Sequence, residues 1–247
     1  MDELIYKMKS IRLSAMTVKL PVRVQEATAN ELSYLAFLQN LVDDEIQTRR
    51  DRLLNKRLKQ AKLPFMKTLD DFDFGFNPSI NRQQIKQLAT SAFLANHENI
   101  LMIGPPGVGK THLTTAFSIN AIHQGFSVLY RSVFDIAADI AKNHDQVIDQ
   151  FLKPDLLVID ELGMKNLNSD ASEVILEVIH RRYQKNSSVI ATNRPIEDWG
   201  KIFGDNATAS AILDRFLENV HLLKITGKSY RLKNLKSKEQ KMVESNI

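Results

Sequence analysis

Residues 99–113 read "NILMIGPPGVGKTHL". A short apolar run enters a turn built on three glycines and leaves it through Gly-Lys-Thr. The run, 99–103, reads as a buried strand, and a helix is expected from about Lys110. Gly104, Gly107 and Gly109 let the backbone turn tightly and aim its N–H groups at one point. Pro105, Pro106 and Val108 complete the loop. Lys110 supplies a cation for β- and γ-phosphates, and the Thr111 hydroxyl suits Mg²⁺. The following helix adds the positive end of its dipole. Strand, loop and helix in that order read as a phosphate cradle for ATP and Mg²⁺. His112 is counted with this cofactor-binding stretch, and is read as a packing residue of the loop-bearing helix rather than a ligand.

Further along lies "PDLLVIDELG" (154–163). Leu156 to Ile159 read as a buried strand carrying Asp160 and Glu161 at its C-terminal end, where open α/β sheets bind ligands. Asp160 can hold Mg²⁺ through water. Glu161 can polarise an attacking water as a general base. Two adjacent acids can equally cap a helix without doing chemistry. "SSVIATNRP" (187–195) ends in Asn193, whose amide can reach phosphate and water from a neighbouring strand, or can simply turn the chain before Arg194-Pro195.

From residue 81 onward, helical and strand-like runs alternate: 81–95, 99–103, 110–124, 127–131, 133–142, 155–160, 170–185 and 187–192. That rhythm predicts a three-layer α/β fold around a parallel sheet, with an ATPase domain over 81–235. Residues 1–65 read instead as a small all-helical domain, with Leu32, Leu35, Leu38 and Leu41 forming one stripe with Tyr34 and Phe37. Its last helix is expected to stop at Pro64. Residues 66–80 read as a linker whose Phe72, Phe74 and Phe76 pack onto the next domain. Trp199 reads as a surface-loop anchor rather than a base-stacking platform.

Charge is distributed unevenly. Residues 1–70 hold 13 Lys and Arg against 9 Asp and Glu, residues 71–223 hold 13 against 18, and residues 224–247 hold 7 against 2. Basic ends around an acidic middle suit a polyanion. Arg49, Arg50, Arg52, Lys56, Arg57 and Lys59 are the candidate phosphate-contacting residues of the N-terminal helix. The 236–247 tail reads as flexible. There are 0 cysteines, which excludes disulfides and thiolate metal sites. No apolar run reaches the roughly 20 residues of a membrane span, and the first residues lack a signal-peptide core. A cytoplasmic protein without membrane contact is the expectation.

Taken together, the residues resemble the AAA+ ATPases. More narrowly, they resemble the IstB-like ATP-binding proteins, transposition helpers of bacterial insertion sequences related to the helicase loader DnaC. The likeness rests on 72–113, "LLVIDELG" (156–163), "SVIATNRP" (188–195), "AILDRF" (211–216) and "GKSYRLK" (227–233). It implies an ATPase, yielding ADP and phosphate, that forms homo-oligomers on double-stranded DNA near the nucleoid and assists a cognate transposase in target selection. It also implies that Arg215 is an arginine finger reaching a neighbour's site and that Arg231 is a second sensor arginine. Few residues follow Arg215, so no full helical lid is expected, and the site would be completed between subunits. A DnaC-like helicase loader, a small-molecule kinase and a nucleotide-gated binding module are the rival readings.

Overall fold

The structure, a computed structural model, describes residues 2–204 and 206–233. It divides into two compact units, residues 1–56 and the chain from Arg57 onward. The division falls inside a helix, upstream of Pro64.

The first unit is helical: α1 (Asp2–Ser10), α2 (Ser14–Ala29) and most of α3 (Tyr34–Ala61). Met8, Met16, Leu20 and Leu41 form its core, with Phe37 half-buried against them. The apolar stripe expected on α3 is therefore divided. Leu41 and Phe37 turn inward, whereas Tyr34, Leu35 and Leu38 are exposed. Glu45 of α3 is buried and accepts hydrogen bonds from the backbone N–H groups of Ala15 (2.8 Å) and Met16 (3.1 Å). These amides open α2 and lack intrahelical partners, so Glu45 caps that helix from another element. Burial pulls the Glu45 pKa upward, but the Arg49 guanidinium at 2.8 Å and the two amides outweigh it and leave it lowered.

The second unit continues through α4 (Arg82–Ala89), α5 (Ala92–Ala95), β1 (Asn99–Ile103), α6 (Lys110–His123), β2 (Val128–Ser132), α7 (Val133–Lys142), α8 (His144–Leu152) and β3 (Leu156–Leu162). It ends with α9 (Ser169–Arg182), β4 (Ser187–Thr192), α10 (Trp199–Phe203), α11 (Asn206–Leu217) and β5 (Val220–Lys224). The five strands pair in parallel in the order β2-β3-β4-β1-β5. Every residue of β4, and Leu156–Asp160 of β3, is buried, as a parallel sheet covered on both faces requires. The helix expected over 81–95 breaks at Ser91, which takes a left-handed conformation (φ 58°) between α4 and α5. Helix α8 and strand β5 were not anticipated from the sequence pattern. Trp199 is not a surface anchor. It is fully buried in the main core and packs against Phe203 at 5.9 Å.

The order of strands positions the site. Strand β4 lies between β1, which leads into the glycine-rich loop, and β3, which carries the acid pair. All three strands run parallel, so the loop, the end of β4 and the acids arrive at the same edge of the sheet. After β5 the described residues run on to Lys233 and take up helical backbone from Tyr230.

Candidate nucleotide site

At Gly107 (φ 83°) and Gly109 (φ 103°) the loop enters left-handed backbone that side chains disfavour. Both positions are also crowded. A Cβ on Gly107 would collide with Ser229, and one on Gly109 would lie 2.7 Å from the Phe72 ring. The loop is thus held from two directions, by chain before α4 and by chain after β5. Helix α6 starts at Lys110, with its N-terminus at the loop.

Lys110 Nζ donates to the carbonyls of Gly104 (2.7 Å) and Pro105 (2.9 Å). Burial lowers its pKa and the Arg231 charge adds to that, while Asp160 and Glu161 oppose it. The loop lysine, both acids and Arg231 are thus near enough for each charge to act on Lys110.

Asp160 is fully buried. Its Oδ2 accepts from the Tyr130 hydroxyl at 2.6 Å, and its Oδ1 accepts from the Glu161 backbone N–H at 2.7 Å. Tyr130 lies on β2 in register with Val158, two residues before Asp160, so the phenol runs along one face of the sheet to the acid. Burial, then the Asp160 charge, drives the Tyr130 pKa far above its ordinary value, so the phenol remains a donor. Between Ile159 and Leu162 the β3–β4 register shifts, leaving two residues opposite Ala191. Within this bulge Glu161 adopts φ 62°, a conformation costing about 1–3 kcal/mol for a non-glycine residue. The bulge turns the carboxyl of Glu161 away from the strict alternation that buries Asp160. Burial and the Asp160 charge raise the Glu161 pKa, and Arg231 partly offsets them.

At the end of β4, Thr192 Oγ1 donates to the Leu162 carbonyl (2.6 Å) and accepts from the Arg194 N–H (3.0 Å), fixing the turn after the strand. Asn193 Nδ2 lies 3.3 Å from Met164 Sδ, and its Oδ1 is buried without a partner. An Asn side chain with one buried, unpaired end is poised for a further polar group.

Over the loop lies a cleft of about 400 Å³, lined by Lys110, Thr111 and Arg231 among others. Phe65, Phe72, Phe76, His112 and Tyr230 give it aromatic walls. The segment expected to be a linker is one of these walls. Phe72 stacks edge-on against His112 (5.0 Å), and His112 Nε2 contacts the Thr68 carbonyl at 2.8 Å. Asn77 Oδ1 accepts from the Ser79 hydroxyl at 2.7 Å, whereas its buried Nδ2 has no partner. From the other side, Tyr230 N–H donates to the Gly107 carbonyl (2.9 Å) and the Tyr230 ring meets Phe76 at 5.0 Å. Lys233 closes the strap through Asp73 at 3.1 Å. Sequence reasoning missed Tyr130, Asn77 and the Ser229–Tyr230 contact. Only the Asn-Pro turn at 77–78 gave any local signal.

Arg215 does not line this cleft. It lies half-buried in a groove between α9 and α11, with Glu173, Glu177 and His180 nearby, and its Nη1 donates to the Ala211 carbonyl at 3.2 Å. Of the basic residues on α3, Arg49 is bonded to Glu45 and the Arg12 carbonyl, and Arg52 to the Ser14 hydroxyl. Arg50, Lys56 and Lys59 are exposed, and Arg57 is half-buried. The tail 236–247 lies outside the described residues.

Residues 6–238 match the family described as IstB-like ATP binding protein. The chain belongs to that family. It is 36% identical over 238 residues to the ATP-binding protein of insertion sequence IS21 from Pseudomonas aeruginosa, covering 94% of this chain and 90% of that one. It is 34% identical over 236 residues to the IS5376 counterpart from Geobacillus stearothermophilus, covering 94% of each. Among solved structures, this IstB-like chain is similar to the DnaC helicase loader (25% identity, TM-score 0.51), covering 67% of this chain and 96% of that one. It also resembles the replication initiator DnaA bound to AMPPCP and single-stranded DNA (21% identity, TM-score 0.57), over 73% of this chain and 56% of that one. The fold is that of the AAA+ nucleotide-binding domains, and the IstB-like chain is an ATP-binding protein. No helix among the described residues is long and apolar enough to cross a membrane.

Proposed function

We propose that this chain is an ATPase that assembles into multimers on duplex DNA and assists the transposase of its insertion sequence. One observation carries the hydrolytic reading: parallel β1 and β3, on either side of β4, bring Lys110 of the phosphate loop and the buried Asp160 and bulged Glu161 to the same edge of the sheet. In this reading the loop amides hold the phosphates, and Lys110 exchanges its carbonyl partners for phosphate oxygens. The nucleobase sits among the aromatic walls. Thr111 and Asp160 offer the hard oxygen donors that Mg²⁺ takes together with water and phosphate, and the ion would neutralise charge on the phosphoryl group. Glu161 accepts the proton of the attacking water, and Asn193 orients that water or the γ-phosphate. Arg215, remote from its own cleft, serves a neighbouring copy's cleft, while Arg231 acts within its own.

The exposed Arg50, Lys56 and Lys59, with Arg57, would contact DNA phosphates without reading sequence. The insertion-sequence relatives support a transposase as partner. The test is ATP turnover with and without duplex DNA. Stimulation by DNA, lost in Glu161→Gln and in Arg215→Ala, is the expected result. DNA-independent turnover that survives Arg215→Ala would overturn the assembly. The similarity to the DnaC loader keeps a second reading in play, and a strong ATP-dependent preference for single over double strands would favour it.

A further inference from the structure

The chain that follows the acid pair is tied to the turn after β4. Thr192 Oγ1 donates to the Leu162 carbonyl at 2.6 Å, and Arg194 Nε donates to that of Gly163 at 3.4 Å. Next along, the Met164 N–H donates to the Glu161 carbonyl at 3.0 Å and closes a turn on the residue read as the general base. From that turn the Met164 side chain, 51% exposed, reaches the end of β4, where its Sδ lies 3.3 Å from Asn193 Nδ2. A thioether sulfur accepts hydrogen bonds and cannot donate them. The Asn193 amide therefore turns its NH₂ end to Met164. Its carbonyl end is left over: Oδ1 is buried and has no partner among the described residues.

We propose that Met164 is a positioning residue for hydrolysis, its sulfur setting the Asn193 amide so that Oδ1 is offered to the attacking water. This rests on the reading of Asn193 given above and sharpens it. A water that attacks phosphorus directs a lone pair at it, so both of its hydrogens need acceptors on the protein. Glu161 takes one of them as the oxygen–phosphorus bond forms. Oδ1 holds the other as a hydrogen bond. With the amide reversed, Nδ2 would face the same water and donate into the lone pair that has to attack. An amide free to turn would spend part of its time reversed, and the thioether removes that freedom. The effect falls on rate rather than on affinity, because the phosphates are held by the loop and not by this amide. Placing the sulfur on the turn that closes on Glu161 also keeps base and acceptor in one fixed relation.

Met164 is half exposed, so replacing it leaves the core intact. Single-turnover ATP hydrolysis by the full chain with duplex DNA reads the effect. Met164→Leu removes the acceptor at nearly constant volume and should hydrolyse about 3–10-fold more slowly. Its ATP affinity should stay within about twofold of native, and its Tm within about 1 °C, because the substitution is exposed. Met164→Gln, whose side-chain carbonyl accepts in place of sulfur, should recover most of the lost rate. In an Asn193→Ala background, itself slow, Met164→Leu should cost nothing further. A native rate in Met164→Leu beside a slow Asn193→Ala would overturn the proposal and leave the role of Asn193 standing. Equal losses in the Leu and Gln variants, or a further loss in the Asn193→Ala background, would overturn it too. A native rate in Asn193→Ala would remove Asn193 from the mechanism, and the proposal with it.

Discussion

Removing one oxygen atom tests how the acid strand is held. Tyr130→Phe keeps the ring and its packing, so no cavity larger than a hydroxyl arises. What disappears is the 2.6 Å hydrogen bond to Asp160 Oδ2, on a carboxylate with no exposed surface. Hydrogen bonds to charged groups are worth about 1.5–3 kcal/mol, and the upper end applies where water cannot replace the donor. For a unit of this size 1 kcal/mol moves Tm by about 2–4 °C, so the variant should melt roughly 3–12 °C lower. Calorimetry or thermal circular dichroism on the nucleotide-free protein reads this directly. The companion measurement repeats Tyr130→Phe in an Asp160→Ala background, where the phenol has lost its acceptor and its removal should cost little. The coupling across this cycle should exceed about 1 kcal/mol. Equal losses in both backgrounds, or a Tm change below about 1 °C in the first, would refute the claim that Tyr130 holds Asp160.

Four further outcomes follow from the geometry. Glu161→Gln should bind ATP normally but hydrolyse it about 10²–10⁴-fold more slowly, measured by phosphate release against nucleotide binding. Because burial and Asp160 raise the Glu161 pKa, the active carboxylate is lost as pH falls, and the acid limb of the rate profile should lie above that of an ordinary carboxyl. Arg231→Ala removes a charge that lowers this pKa, so the same limb should move to still higher pH; a limb that stays in place would separate Arg231 from Glu161. In the helical unit, Glu45→Ala leaves two α2 amides without their acceptor, whereas the largely exposed Arg49 can rehydrate. The loss should be about 1–3 kcal/mol, read by denaturant unfolding of the full chain.

The sequence announces the phosphate loop because glycine spacing, lysine and hydroxyl are all local to one turn. The alternation of helix and strand was legible for the same reason, since each run carries its own period. What escaped depends on register between distant segments. Nothing in "VLYRS" signals that Tyr130 will meet an acid two positions along a neighbouring strand, because strand pairing decides it. Strand β5 was missed because "VHLLK" is only half-buried and reads as a continuation of α11. The exposed half of the α3 stripe was legible as apolar, but not as uncovered. A helical period reports that a face is apolar, not what covers it. Trp199 was misplaced because its neighbours are polar and small, while the core that surrounds it comes from α9 and α11.

The glycine turn acts as a rivet through two otherwise separate lengths of chain. Phe72 bears on Gly109 from upstream, and Ser229 and Tyr230 bear on Gly107 from downstream, some 120 positions along the sequence from the loop. Trimming the protein just after β5 would leave every strand in place and still strip one plate from the joint. Shortened versions that look intact by secondary structure should therefore hold triphosphate poorly, and any tension on the terminal segment is delivered straight to the turn that grips it.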